Sequence, residues 1–79
     1  MTATRIKWYD SYGVTTGWED ISSFTANPLV IESIGFVVFE NESVLALASN
    51  YADETEHTPK QANGVMTIPK CCITERIDL

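Results

Sequence analysis

The residue types that could do bond-making chemistry are few here, and their spacing does not suit it. His57 is the only histidine, and the only cysteines, Cys71 and Cys72, are neighbours in the chain. Zinc sites are usually written as C-x-x-C or H-x-x-x-H, and neither spacing occurs, so no metal and no cofactor is expected. A nucleophile–base pair of Cys72 with His57 would need a third, orienting group and a strained elbow, and neither is visible. No catalytic residue is therefore assigned. Asp53, Glu54 and Glu56 crowd around His57. Carboxylates of this kind can bind a divalent cation or exchange protons, but a charge run in a polar loop reads as solvated surface. Adjacent thiols do not close a stable ring with normal geometry. Two free thiols point to a reducing compartment, and a cytoplasmic location is expected.

The residues suited to holding something are more numerous. Trp18 follows a glycine in a turn, and Tyr51 begins a polar loop. Either ring could stack on a nucleobase, which is worth about 1–3 kcal/mol per base. Trp8 reads as core or subunit interface, because indole contributes a large buried area. Tyr9 and Tyr12 read as outer-face and loop aromatics. Arg5 and Lys7 share a strand face, while Lys70 and Arg76 flank the last corner of the chain. If the first and last strands are neighbours, Arg5, Lys7 and Arg76 converge and could grip a phosphate. The competing reading pairs these cations with Asp10, Glu75 or Asp78 on the surface.

The elements that must position these groups are extended. Residues 5–10 alternate, with Ile6 and Trp8 on one side and Arg5, Lys7 and Tyr9 on the other, which predicts a half-buried strand. Ile21 and Phe24 stand at helical spacing, so one helical turn is expected between residues 18 and 25, ended by Asn27-Pro28. Residues 29–40 are rich in Val, Ile and Phe and give the strongest strand signal. Gly35 lies in the middle of that run, and glycine there marks a bulge or bend. Asn41-Glu42 is a turn into residues 44–51, which would pass for helix on propensity but are too short and follow a hairpin signal. Residues 52–64 read as a polar loop closed by Asn63-Gly64. A strand over 65–68, a 3₁₀ turn over 69–72 and a final alternating strand over 73–79 complete the chain.

Length and charge narrow the reading. Seventy-nine residues make one domain, spanning 1–79. A domain this small buries too little surface to be robust alone, so a homo-oligomer is expected. The net charge is −6, from eleven acidic and five scattered basic residues. Nucleic acid binding needs clustered cations, so neither DNA nor RNA is expected as a partner. No apolar run is long enough to span a bilayer, and no signal peptide is visible, so no membrane role is expected. The fold class is mainly β: a small five-stranded SH3-like or Sm-like barrel with one short helical turn.

Trp8-Tyr9-Asp10, Gly17-Trp18, residues 28–35, residues 44–48 and Ile68-Pro-Lys-Cys-Cys-Ile73 together resemble a group of small bacteriophage and prophage accessory proteins. The likeness covers nearly the whole chain except residues 52–64. It implies a phage-encoded, non-enzymatic binding module acting in a bacterial cytoplasm. Some small phage proteins of this size form homo-oligomers that capture nucleotide immune signals. By that analogy the ligand-binding residues are Trp18, Tyr51, Arg5, Lys7 and Arg76, in a pocket between subunits. The alternative is an acidic inhibitor that blocks a host protein, such as a nuclease or defence effector. A structural or assembly accessory role is the third reading.

Overall fold

Asn41 organises the centre of the chain. Its side-chain oxygen accepts hydrogen bonds from the backbone N–H groups of Ser43 and Val44, both at 2.9 Å, and its own N–H donates to the Val44 carbonyl at 3.1 Å. This asparagine turn reverses the chain tightly enough to pair the β-branched run before it with the run after it. A computed structural model describes all residues, 1–79, and contains five strands. They are β1 (Ala3–Asp10), β2 (Leu29–Glu40), β3 (Val44–Ala52), β4 (Gln61–Pro69) and β5 (Ile73–Asp78). A single 3₁₀ turn, η1 (Lys70–Cys72), separates the last two. All pairings are antiparallel, and the sheet runs β4-β3-β2-β1-β5.

The protein is thus mainly β with five strands, as the alternation and β-branched runs imply. The expected barrel does not close. β4 and β5 are the two edges, and no ladder joins them. Yet only η1 connects them, and three residues of 3₁₀ helix rise about 6 Å. Four strand intervals in a flat sheet would separate these edges by about 19 Å. The sheet must therefore curl at the η1 end, bringing the edges near each other without pairing them.

Two smaller expectations are also corrected. Residues 18–25 form no helix. Asp20 accepts from the backbone N–H of Ser22 at 3.0 Å and from its hydroxyl at 2.6 Å, and Ser23 N–H donates to the Asp20 carbonyl at 3.1 Å. The Asp20 carboxylate and carbonyl close a local turn over residues 20–23, and no further backbone bond extends it into a helix. The polar loop is shorter than residues 52–64, because β4 begins at Gln61 and pairs with Ala52. Gln61, Ala62 and Asn63 are poor strand formers held extended by the ladder to β3.

β1 and β2 pair along the whole length of β1, from Ala3↔Phe36 to Asp10↔Leu29. β2 pairs with β3 only over its second half, from Phe36↔Ala48 to Glu40↔Leu45. The remainder of β3 pairs with β4 alone. Two hairpins therefore share a base and diverge from it, and the molecule measures 62 × 25 × 20 Å. The core lies at the shared base. Ile6, Leu45, Leu47 and Ile68 are buried, and Trp8, Val37 and Ile73 pack around them. Thr4 is buried too, and its hydroxyl is satisfied by donating to Asp78 at 2.9 Å.

Gly35 marks the place where β2 departs from β3. A Cβ on Gly35 would sit 2.5 Å from the Ala48 carbonyl oxygen and 3.0 Å from the Leu47 side chain. The bulge that a mid-strand glycine suggested lies just beyond, between Val37 and Phe39. Gly35→Ala is expected to destabilise the fold by about 1–3 kcal/mol, because backbone cannot move aside as a side chain can. Chemical denaturation of the variant beside the native chain measures this; an unchanged midpoint would mean the two strands do not cross so closely.

Candidate functional site

The curl at the η1 end is fastened by one carboxylate. Glu40, the last residue of β2, lies 2.7 Å from the Lys70 ammonium in η1. It also accepts both of its bonds from Arg76 Nη1, at 3.0 Å and 2.9 Å, on β5. Arg76 Nε donates in turn to Asp78 at 3.3 Å, and Asp78 accepts from Thr4. The Lys70 and Arg76 contacts hold the Glu40 carboxyl below its ordinary value. The Thr4 hydroxyl, with Arg76, does the same for Asp78. The same carboxylates push the Arg76 guanidinium up, Glu40 most of all. Sequence reasoning did not find Glu40, because its partners lie 30 and 36 residues away and nothing local marks it.

The three cations expected to meet a phosphate do not converge. β1 and β5 are neighbours as anticipated, but Arg76 stands opposite Ile6, on the other face from Arg5 and Lys7. Arg5 lies 3.7 Å and Lys7 3.8 Å from the two oxygens of Glu75, and Lys7 also lies 3.9 Å from Glu32. Of the five cations, only Lys60 has no carboxylate partner. Positive charge is neutralised within the body of the sheet. The carboxylates without a cationic partner lie mainly in the hairpin loops, at Glu19, Asp20, Asp53 and Glu54.

The aromatic candidates separate into two environments. Trp8 packs on the core, and its indole N–H donates to the Ser33 hydroxyl at 3.1 Å. Tyr51 is half-buried, with its ring 6.1 Å from that of Phe36. Trp18 is wholly exposed in the β1–β2 loop, and Val14 and Ile21 beside it are 93% and 79% exposed. Tyr12 fastens the base of that loop by donating its hydroxyl to the Asn27 carbonyl at 2.6 Å. Trp18 and Tyr51 thus belong to different hairpins. Between the hairpins is a cleft of 370 Å³, lined by Ile34, Leu47 and Met66 with Ser33, Ser49 and Gly64. No sequence signal marks it, since its walls come from three strands.

His57 lies in the β3–β4 loop, 3.2 Å from Glu56, while Cys71 and Cys72 lie in η1 at the far end of β4. A nine-residue strand spans about 30 Å, so these groups are not brought together. The two sulfurs are 4.0 Å apart, and contact with Cys71 pushes the Cys72 thiol up, away from the thiolate form. No group of three His, Cys, Asp or Glu side chains is gathered as metal ligands would be. No helix is long and apolar enough to cross a membrane. Comparison with protein-family models, with curated proteins and with solved structures finds no match to this chain.

The lowered carboxylates predict the response to acid. Each stabilises the fold above its unfolded-state value, and that contribution is lost as pH falls through the folded-state value. Melting temperature should therefore hold from neutrality down to about pH 5 and fall below it, as Glu40 and Asp78 take up protons. Glu40→Gln should lower the neutral-pH melting temperature and flatten its fall in acid. An identical pH profile for the variant would show that Glu40 does not hold the curl.

Proposed function

We propose that the chain is a non-enzymatic binding module whose acidic hairpin loop engages a cationic surface on a protein partner. The observation that carries this is the separation of charge. Arg5, Lys7, Lys70 and Arg76 are each paired with a carboxylate in the body, so the net −6 is expressed largely at the loops. Asp53, Glu54 and Glu56 stand exposed at the β3–β4 loop, which a Thr55–Thr58 hydrogen bond of 2.8 Å holds in a turn. A preshaped acidic tip attracts a basic partner from a distance and orients it on approach. This is the inhibitor reading of the sequence. With the resemblance to phage accessory proteins, it makes the partner a host nuclease or defence effector in the bacterial cytoplasm. An SH3-like or Sm-like relationship belongs to the same reading. Its support is the position of β1 between β2 and β5 and the 3₁₀ turn before the last strand.

A second reading, capture of a small nucleotide, has one observation in its favour. The inter-hairpin cleft of 370 Å³ falls within the roughly 300–1,000 Å³ of ligand pockets. Its polar lining is hydroxyl groups, and Arg5, Lys7 and Arg76 are already engaged, so a phosphate would have to break an existing ion pair.

One set of measurements separates the two. Under the first reading, a partner captured from bacterial lysate at low salt is released as salt rises and is not captured by a triple Asp53→Asn, Glu54→Gln, Glu56→Gln variant. Equal capture by that variant would sink it. Under the second, a mono- or cyclic nucleotide raises the melting temperature of the native chain. A flat response across a nucleotide panel would leave the cleft without that role.

A further inference from the structure

The chain exposes more surface than its mass allows for a free-standing globule. Its accessible area is 6096 Å², against about 4,800 Å² for a compact monomer of 8.8 kDa. Its radius of gyration is 17.1 Å, against about 12 Å for a globule of this length. Only eight of the 79 residues are buried. The excess is not spread evenly. The loop joining β1 to β2, residues 11–28, projects beyond the core and carries Tyr12, Val14, Trp18, Ile21 and Phe24, all exposed. Together these five residues present on the order of 750 Å² to solvent, given the 150–250 Å² that each aromatic carries.

We propose that this arm packs on a second copy of the same chain, in a reciprocal two-fold exchange. The receiving surface is the inter-hairpin cleft, whose wall residues Ile34 and Met66 are themselves 62% and 36% exposed. If half of each arm is buried against an equal area of partner surface, two copies bury about 1,500 Å² in total. That lies inside the roughly 1,200–2,000 Å² of a stable interface. A reciprocal contact is counted twice and closes on itself, whereas a head-to-tail contact of the same patches would run on into filaments. Other occupants fit less well. Glu19 and Asp20 flank the exposed indole, so an anionic lipid surface or a nucleic acid would be repelled. Another copy is also the one partner always present when a chain with so small a core folds. The inference goes beyond the proposed function, because the 53–60 loop stays free on each protomer. The dimer would therefore show the acidic tip twice.

Sedimentation or light scattering of the full chain between about 1 and 100 µM tests this over the range of ordinary dimer affinities. The native chain is expected at twice 8.8 kDa. Trp18→Ala, and separately Ile34→Glu in the receiving cleft, are expected to weaken the dimer at least tenfold while leaving the β-sheet circular dichroism in place. Trp18 is wholly exposed in the protomer, so a Trp18→Ala chain that is both monomeric and unfolded also supports the arm, as folding would then depend on the contact. The triple variant at Asp53, Glu54 and Glu56 should dimerise like the native chain, so failure of partner capture and failure of assembly are read separately. A single-chain mass for the native protein, a mass beyond the dimer, or a Trp18→Ala dimer as tight as the native one overturns the proposal.

Discussion

The connection between β4 and β5 governs the shape of the molecule. Two strands at opposite edges of a five-stranded sheet are joined by Lys70, Cys71 and Cys72 alone. Such a linker is too short to cross a flat sheet, so the sheet bends, and bending makes room for a core. Ile6, Leu45, Leu47 and Ile68 fill it. Pro69 at the head of η1 suits this corner, since its ring presets the backbone and it needs no ladder hydrogen bond there. Lys70 N–H donates to the Ser43 carbonyl at 2.9 Å, which ties the corner to the β2–β3 turn. Glu40 then draws η1 and β5 toward the end of β2. Hydrophobic burial, a backbone bond and an ion cluster therefore act at one end of the molecule.

The other end is different in kind. Once β2 passes Gly35 it no longer pairs with β3; β3 and β4 continue as a two-stranded ribbon, while β2 continues with β1, which β5 flanks as far as Trp8. Two-stranded ribbons have little apolar surface to bury between them and are marginal alone. The two hairpins carry the polar loops and most of the exposed apolar side chains. The division is physical: stability is concentrated where the sheet curls, and contact surface is concentrated where it splays. Loops projecting from a packed base can meet a partner without disturbing the core.

Charge follows the same division. Cations and carboxylates near the base satisfy one another, across β1 and β5 on one face and around Glu40 on the other. Pairs this exposed contribute little individually. Their larger effect is on what remains: a body near neutrality and loops that hold the surplus acid.

Much of this was legible in the residues themselves. The alternation of Ile6 and Trp8 with Arg5 and Lys7, the β-branched run over 29–40 and the Pro69 corner are local signals, because side-chain period and proline geometry act within a few residues. Strand type and order along the chain followed from them. Local signals failed where the ladder overrode propensity, as at Gln61 to Asn63, and where a local turn closed without extending into a helix, as at Asp20. The strand pairing that leaves the sheet open, the meeting of Glu40 with Lys70 and Arg76, the assignment of Arg76 to the face opposite Arg5, and the inter-hairpin cleft were decided by tertiary structure alone. Each depends on residues 30 or more positions apart, or on three separate strands. How far a sheet curls before its hairpins part is set by packing at Gly35 and η1 together, which no single stretch of sequence encodes.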